Sequence, residues 1–392
     1  VTYILDKPRM MIADEVGLGK TITAALVVSE LKARGLAKKL LFVVPKALVF
    51  KWKYELEQRF ELKAQLLDSE YVKGDPEPFK KDEFCYVSSM DYLKQEQMLK
   101  MLDNANIDIT VVDEAHKLAL GTDRFELGRH LAERSNYLLF LTATPHNGNN
   151  EDYLRRMQLL DPFISDIKLA TQILIRNMKE DVVDLDGKEV FPKRSSETSK
   201  INLTQEELNL HRMVDDYIAR RLEDARDKKE YNALRFLGII LRKRASSSLY
   251  ALKLTLQRRY EKLGTAADPE KAIEKMKEAE EEQDEEQYEK SEESIVGLTA
   301  SRIETEKNEI LHLLPENDNL GGKDSKLKFL IDFIKNLKSG DPKAKLVVFS
   351  EYRDTVDYLS ERLSKAYRVG KIYGTMSLEE RQRALDSFKD PE

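Results

Sequence analysis

The stretch MMIADEVGLGKT, at residues 10–21, decides the fold of this 392-residue chain. Its first residues, 10–13, are an apolar run that predicts a short buried strand. A loop with Gly17 and Gly19 follows, and the next residues predict an amphipathic helix over 21–34. Glycines in such a loop let backbone N–H groups converge on phosphate oxygens, and the start of the helix adds its positive end. The stretch therefore predicts a phosphate-binding loop between a strand and a helix.

Two side chains at the end of this loop carry the chemistry expected there. Lys20 would reach the β- and γ-phosphates of a nucleotide, and the Thr21 hydroxyl would bind Mg²⁺. The strict pattern of the loop has a glycine at the position of Asp14. Because of this departure, the loop taken alone is also compatible with a turn that caps a buried helix.

The chain as far as residue 163 alternates short apolar runs with helical patterns. Strands that alternate with helices of about 10–15 residues indicate βαβ units and a parallel sheet. A second helix is predicted over 48–60, where Trp52 lies on the apolar face and is expected to belong to the core. The further predicted strands are 40–44, 84–87, 109–112 and 137–141.

Two adjacent carboxylates, Asp113 and Glu114, directly follow one of these predicted strands. Ligands of a parallel sheet lie at the carboxyl ends of its strands, so Asp113 would face the phosphate loop. Asp113 would hold Mg²⁺, and Glu114 would orient and deprotonate an attacking water. The alternative is a solvated acid pair at a strand end, which the upstream phosphate loop argues against. The hydroxyls of Thr142 and Thr144 follow the next strand and, beside His116, could sense the γ-phosphate.

The sequences GKT, DEAH and TATP, in this order, resemble motifs I, II and III of the superfamily-two helicases. DEVGLGKT is similar to motif I of the Swi/Snf-type ATPases, in which an aspartate at the position of Asp14 is usual. The resemblance implies a RecA-like α/β lobe in which Lys20, Asp113 and Glu114 are catalytic. It also implies that Thr21 and Asp113 hold Mg²⁺. The residues implied to bind ATP are Asp14, Glu15, Val16, Gly17, Leu18, Gly19, Lys20, Thr21, His116, Thr142 and Thr144.

Further stretches are similar to the elements that touch the nucleic-acid backbone in this family. VVPKALVFKW at 43–52 resembles motif Ia, YVSS at 86–89 stands in the place of motif Ib, and LVVFSEYRDTVDYL at 346–359 resembles motif IV. The contacts that these stretches imply are Pro45, Lys46, Ser88, Ser89, Ser350 and Tyr352.

Other stretches narrow the resemblance to a subgroup. Residues 159–164, 175–182 and 191–194 resemble the linker after motif III, although Asn177 stands where a second arginine is common, so that contact is not carried over. TATPHNG at 142–148, with the stretch 241–259, is most similar to the bacterial and archaeal RapA-like subgroup. That subgroup includes the RNA-polymerase-recycling ATPase and helicase-like subunits of phage-defence systems. The resemblance covers essentially the whole chain.

Composition excludes several other classes of protein. The single cysteine rules out an internal disulfide framework and fits a reducing cytosol. The apolar runs are far shorter than the ~20 residues that a membrane span needs, so no membrane partner is expected. Together with the subgroup, these features lead us to expect a cytoplasmic, nucleoid-associated prokaryotic protein with no metal other than Mg²⁺.

The net charge of −6 conceals two segments of opposite sign. Residues 231–262 hold eight basic residues and one acidic residue, whereas 268–293 hold thirteen acidic residues and four lysines. The basic segment would bind duplex phosphates without reading bases, and a solvated helix face is the alternative. The acidic run is expected to be a solvated helix or mobile linker rather than a DNA mimic or an autoinhibitory plug. The predicted duplex contacts are Arg242, Lys243, Arg244, Arg258 and Arg259.

We expect three parts in the chain. Residues 1–195 would form the first RecA-like ATP-binding lobe, 196–322 an α-helical insertion, and 323–392 the first half of a second RecA-like lobe. Thr204 with Glu207 predicts a capping box at the start of the insertion. In the second lobe we expect strands at 346–349 and 367–372, a helix at 355–363, and a helix capped by Ser377 with Glu380.

The chain starts at Val1, and we expect it to be a piece of a longer protein. The adenine-reading Q motif of the family would precede it, and motifs V and VI would follow it. Motif VI carries the arginine fingers that stabilise charge on the γ-phosphate, so we expect poor hydrolysis by this stretch alone.

The sequence predicts a motor that hydrolyses ATP to translocate on double-stranded DNA and to remodel or displace bound protein complexes. RNA polymerase or phage-defence and restriction subunits are the protein partners that the resemblance suggests. One alternative is a strand-separating helicase, and another is the motor subunit of a restriction or phage-defence complex. A third is a non-catalytic scaffold that binds DNA or protein and retains the fold.

Overall fold

The computed structural model describes residues 2–146, 148–192, 195–264, 271, 273–276, 291–292, 294–297, 303–319, 324–374, 376 and 378–389. The chain divides into two compact units, Val1–Ser196 and Glu197–Glu392. The further boundary expected at residue 322 stays a prediction. Most of the acidic run 268–293 lies outside the described residues, and so do Lys193, Arg194 and Ser377.

The first unit is built on a seven-stranded sheet in which every pairing is parallel. The strand order is β3-β4-β2-β5-β6-β1-β7. The five strands predicted from the sequence are all present, and the α/β RecA-like fold is confirmed. The strands are β1 Arg9–Ile12, β2 Lys39–Val44, β3 Gln65–Leu66, β4 Phe84–Ser89, β5 Ile107–Val112, β6 Ser135–Leu141 and β7 Leu174–Ile175.

Alternation along the strands explains why both faces of this sheet are covered. In β2, Leu41 and Val43 belong to one buried cluster, whereas Leu40, Phe42 and Val44 belong to the other. Successive side chains of a strand point to opposite faces, so a strand that is apolar throughout needs helices on both sides. The helices of this unit are α1 Thr2–Asp6, α2 Lys20–Ala33, α3 Val49–Phe60, α4 Ser69–Gly74, α5 Met90–Leu93, α6 Glu96–Leu102, α7 Asp123–Arg134, α8 Asn150–Leu160 and α9 Ile167–Ala170.

The second unit is helical over its described residues. The predicted capping box begins its first helix: Glu207 N donates to Thr204 Oγ1 (3.3 Å), and Thr204 N donates to the Glu207 carboxylate (2.6 Å). The same carboxylate accepts from Ser325 N (2.9 Å), so it ties two helix starts together. The helices are α10 Gln205–Glu223, α11 Lys228–Ser247, α12 Leu249–Lys262, α13 Ile303–Asn319, α14 Ser325–Gly340, α15 Arg353–Leu363 and α16 Leu378–Lys389.

The strands expected at 346–349 and 367–372 were predicted wrongly. Both segments run without strand pairing, although the expected helix between them is present as α15. A strand needs a neighbour to pair with, and apolar character alone does not provide one. Phe349 is 92% exposed, which shows that the first segment is not covered by packing among the described residues.

In the part of the chain that the structure describes, no helix combines the length and apolar character needed to cross a membrane.

Candidate functional site

The phosphate loop adopts a conformation that its glycines make possible. Gly17 and Gly19 have φ values of 87° and 84°, in the left-handed region that only glycine enters freely. Gly19 directly precedes α2, which begins at Lys20, so the free N–H groups of the first helical turn face the loop. The Lys20 ammonium donates to the carbonyl oxygens of Asp14 (2.8 Å) and Glu15 (3.5 Å), which folds it back over the loop. Loop, lysine and helix start thus form a cradle for an anion.

The carboxylates of Asp14 and Glu15 accept hydrogen bonds from the protein itself, and the contact of these two residues with a nucleotide stays a prediction. Asp14 Oδ1 accepts from the backbone N (2.9 Å) and Nδ2 (2.7 Å) of Asn177. Glu15 Oε2 accepts from Lys179 N (3.0 Å), and Glu15 N donates to Asn177 O (3.0 Å). Acidic side chains would also repel a phosphate. Both residues therefore fix the loop to the segment that follows β7.

The other residues of the loop that were predicted to contact the nucleotide differ in exposure. Val16 and Gly17 are exposed, whereas Leu18 is partly buried and its N–H is already bonded to Glu15 O (3.2 Å). Thr21, in the first turn of α2, is partly buried. That they bind the nucleotide stays a prediction.

Asp113 is held at the end of β5 by donors from two elements. Trp52 Nε1, from α3, donates to Asp113 Oδ2 (2.9 Å), and Glu114 N donates to Oδ1 (2.9 Å). The carboxyl is buried, and burial raises its pKa, while the Trp52 hydrogen bond lowers the pKa in part. The cationic Lys20 is close enough to lower it as well. Trp52, expected to be a core residue only, is therefore also a contact of the site.

A chain of hydrogen bonds joins motif II to motif III. His116 Nδ1 lies 3.2 Å from Glu114 Oε2 and 3.1 Å from Thr142 Oγ1, and the same hydroxyl accepts from Thr144 N (3.1 Å). The hydrogen bond with His116, and after it the nearby Lys20 and Lys117, hold the pKa of Glu114 below its usual value despite partial burial. Glu114 also has φ 49°, a left-handed conformation that is costly for a non-glycine residue. The carboxylate is thus ionised, oriented and held next to Asp113.

These residues suit Mg²⁺ bound through a nucleotide. Magnesium prefers oxygen ligands and is commonly bound by one or two carboxylates together with substrate phosphates. Asp113 and Thr21 supply such oxygens at the carboxyl edge of the sheet. Within the described ranges, no group of three or more histidine, cysteine, aspartate or glutamate side chains could hold a metal without such help.

A buried arginine that sequence reasoning missed ties motifs II and III together. Arg156, in α8, donates to Leu118 O (3.3 Å) and Pro145 O (3.0 Å) and pairs with Asp152. The Asp152 carboxylate also accepts from Leu120 N (2.7 Å). Asp152 and Arg156 are one helical turn apart, so the sequence could have indicated their ion pair. The sequence does not reveal their backbone partners, which lie in other segments.

Of the four predicted nucleic-acid contacts of the first unit, three stay predictions and one is contradicted by the structure. Pro45 is buried, Lys46 is exposed, and Ser89 is partly buried as the cap of α5, accepting from Tyr92 N (3.0 Å). Ser88 is 1% exposed and donates to Leu67 O (2.6 Å). Its hydroxyl holds the sheet edge, so its prediction as a nucleic-acid contact was wrong.

Arg259 was also predicted wrongly as a contact to duplex. It is 0% exposed, in α12, and donates to Tyr217 Oη (2.5 Å) and Val296 O (2.6 Å). It also pairs with Glu306, to which Tyr217 donates as well (2.5 Å). A buried guanidinium needs such partners, because an unpaired charge in the interior is very costly.

Arg244 is a second buried member of the predicted basic surface, and its prediction is corrected likewise. It forms a two-point contact with Glu292 (2.9 and 2.7 Å), donates to Asp354 (2.9 Å) and lies 4.1 Å from the centre of the Tyr352 ring. Arg258 gives two further bonds to Asp354 (2.7 and 2.8 Å). Asp354 therefore accepts hydrogen bonds from both arginines. Arg258 is thus already paired, although it is partly exposed.

The remaining predicted contacts of the second unit differ in exposure. Arg242 is 55% exposed over its side chain and paired with Asp215 (2.7 Å), and Lys243 is exposed beside Glu351 (3.7 Å). Tyr352 is buried under Arg244, which contradicts its predicted role. The hydroxyl of Ser350, partly buried, accepts from Tyr352 N (3.2 Å). Arg242, Lys243 and Ser350 stay predictions.

Two family models match the chain. Residues 4–147 match the type III restriction enzyme res subunit, and residues 325–392 match the helicase conserved C-terminal domain. The second match covers the segment in which the structure shows no strands among its described residues.

Curated relatives are similar to part of the chain in sequence, and a solved structure is similar to it in fold. RNA polymerase-associated protein RapA of Yersinia enterocolitica is 37% identical over 164 residues, which are 40% of this chain and 17% of that protein. RapA of Cronobacter sakazakii is 38% identical over 164 residues with the same coverage. The chain thus spans about a sixth of these relatives. In fold, the Pyrococcus furiosus Hef helicase domain is similar, with a TM-score of 0.51 and 14% identity over 99% of this chain and 82% of that one. Residues 4–147 and 325–392 are thus similar to restriction-enzyme and helicase families, and 40% of the chain is similar to the RapA proteins, in agreement with the resemblance of its motifs I to III to the Swi/Snf-type ATPases.

Proposed function

We propose that the protein hydrolyses ATP to translocate on double-stranded DNA and to remodel or displace protein complexes bound there. The observation that carries the proposal is the connected set Asp113, Glu114, His116 and Thr142 at the carboxyl ends of β5 and β6, beside Lys20 of the loop. A solvated acid pair would not need a buried hydrogen-bonded setting of this kind.

The chain's own residues divide the work of hydrolysis. Lys20 neutralises charge on the β- and γ-phosphates, and bound Mg²⁺ supplies further neutralisation of the charge that develops there. Glu114 accepts the proton of the attacking water, for which its lowered pKa keeps it ionised at neutral pH. His116 holds the Glu114 carboxylate in place through a contact of 3.2 Å.

The second contact of His116 gives the site a route to the rest of the unit. The Thr142 hydroxyl forms a hydrogen bond with His116 Nδ1 and accepts a second one from the backbone N–H of Thr144. A change in the Glu114–His116 contact on loss of the γ-phosphate would therefore reach motif III without any further side chain. Such local contact changes are the usual start of a larger conformational step in motor proteins.

The similarity to helicase families supports nucleic-acid binding, and so do those predicted basic contacts that lie at the surface. Arg244 and Arg259 are buried, and Arg258 is less exposed and bonded twice to Asp354. The exposed Lys46, Arg242 and Lys243 remain, of which Arg242 and Lys243 also lie beside surface carboxylates. We expect sequence-independent binding with a moderate salt dependence, because the slope of log K against log salt is proportional to the number of phosphates that the protein neutralises. The RapA relatives are named for their association with RNA polymerase, which makes a transcription complex in the cytoplasm, at the nucleoid, the partner we propose.

A second candidate is the motor subunit of a restriction or phage-defence complex. The match of residues 4–147 to the res subunit of type III restriction enzymes favours it. A strand-separating helicase would use the same site, and a scaffold would bind DNA or protein without turnover.

ATPase rates of the full-length protein separate these functions. We would measure them without nucleic acid, with single-stranded DNA and with duplex. Preferential stimulation by duplex supports translocation, stimulation only by single strands supports strand separation, and absence of turnover under all three conditions contradicts the proposal. Glu114→Gln should bind ATP normally and lose ~10²–10⁴ in turnover; unchanged turnover would remove Glu114 from the role of general base.

A further inference from the structure

The only tryptophan of the chain contacts the carboxylate that would hold Mg²⁺. Trp52 is 1% exposed, and its Nε1 lies 2.9 Å from Asp113 Oδ2. An indole N–H can only donate, so this bond has one direction, from Trp52 to the carboxylate. A buried tryptophan could bond to any nearby carbonyl, and here it bonds to the carboxylate that directly follows β5.

Three bonds fix Asp113 from different sides. Its backbone N donates to Val43 O (2.8 Å) at the end of β2, and Glu114 N donates to Oδ1 (2.9 Å). Among the described residues, only the Trp52 bond holds Oδ2. Each carboxylate oxygen has a second lone pair, so both remain able to accept a metal ion or its water. Removal of the indole N–H would leave the backbone in place and free one oxygen.

We propose that Trp52 is a positioning residue that orients the Asp113 carboxylate for Mg²⁺, an inference that rests on the proposed function. Partners that orient metal ligands in this way typically change metal affinity by about 10–100-fold when they are removed. The ring of Trp52 also packs on Phe42, with centroids 5.7 Å apart, so packing and positioning must be separated by experiment.

Three variants separate them. Trp52→Phe keeps an aromatic ring and loses the N–H donor. Trp52→His loses more ring volume but keeps an N–H at the corresponding place of a five-membered ring. Phe42→Leu, the matched control, alters the packing of Trp52 and leaves its bond to Asp113. The measurement is the dissociation constant of a fluorescent ATP analogue in excess Mg²⁺ and in excess EDTA, at pH 8, and the ratio of the two is the metal enhancement.

We expect Trp52→Phe to lower the metal enhancement about tenfold or more, with the EDTA constant unchanged, which also shows that the variant folds. Trp52→His should retain more enhancement than Trp52→Phe although it is less stable to urea, and Phe42→Leu should retain all of it. Packing alone predicts the opposite order for the two Trp52 variants.

Two results would overturn the inference while the proposed function stands: an unchanged enhancement in Trp52→Phe, or equal losses in Trp52→Phe and Phe42→Leu. A wild-type protein that binds the analogue equally well with Mg²⁺ and with EDTA would contradict the metal site itself, and with it both proposals.

Discussion

Replacement of Glu306 by alanine should destabilise the second unit selectively, because it removes the carboxylate partner of a buried arginine. Arg259 and Glu306 are both 0% exposed, and among the described residues the arginine keeps only Tyr217 Oη (2.5 Å) and Val296 O (2.6 Å) after the change. A guanidinium left in the interior without a counter-charge costs about 3–5 kcal/mol of unfolding free energy. Whole domains are commonly stable by about 5–15 kcal/mol, so this loss is large.

Two further variants serve as controls for the loss of unfolding free energy expected in Glu306→Ala. Arg242→Gln removes an exposed arginine from its pair with Asp215 and should cost no more than about 1 kcal/mol. The triple variant Arg259→Met, Glu306→Leu and Tyr217→Phe replaces Arg259 and its two side-chain partners by apolar groups, while Arg221, which lies 3.6 Å from Glu306, keeps its contact with Glu309 (3.1 Å). It should be much more stable than Glu306→Ala, since a buried ion pair is often worth little compared with apolar packing.

Urea denaturation followed by two signals measures these effects. Trp52 lies in the first unit, so its fluorescence reports on that unit, whereas far-ultraviolet circular dichroism reports on the helices of both. We expect Glu306→Ala to shift part of the dichroism transition to lower urea and leave the Trp52 transition unmoved. A loss below about 1 kcal/mol, equal to that of Arg242→Gln, would refute the burial of Arg259 and restore it as a candidate contact to duplex.

Three other variants or reactions test separate features. Asp152→Ala leaves the buried Arg156 without its carboxylate, so we expect a loss of about 3–5 kcal/mol in the unfolding followed by Trp52 fluorescence; a loss under about 1 kcal/mol would contradict it. Asp14→Ala removes one of the two acidic side chains that fix the phosphate loop, and ATP affinity, measured by analogue titration, should fall about tenfold; an unchanged affinity would contradict this role of Asp14. Burial raises the pKa of the Cys85 thiol to about 12, so alkylation by iodoacetamide at pH 8 should be about a thousandfold slower than in urea, and comparable rates would show an accessible thiol.

The sequence is sufficient where local pattern decides structure. The apolar runs of the first unit are continuous and flanked by turns, and all five predicted strands are found. The loop glycines and the acid pair after β5 are local signals too, which is why the phosphate loop and the motif II acids could be named in advance.

The failures concern partners that are far apart in the chain. Arg259 and Glu306 are 47 residues apart, Trp52 and Asp113 are 61 apart, and Asp14 and Asn177 are 163 apart. A count of basic residues cannot tell an arginine with a buried partner from one in solvent. For the same reason, 346–349 satisfied the local pattern of a strand, but pairing is a property of the neighbouring chain rather than of the segment.

Binding of ATP with Mg²⁺ at the phosphate loop is the central claim about this protein. We would measure equilibrium binding of ATP to this chain and to its Lys20→Ala variant in Mg²⁺, with Glu114→Gln as the matched control. We predict that wild type and Glu114→Gln bind alike and that Lys20→Ala is weaker by about 10–100-fold, the value of a hydrogen bond to a charged group. Equal affinity of wild type and Lys20→Ala would contradict the claim, since the nucleotide would then bind elsewhere.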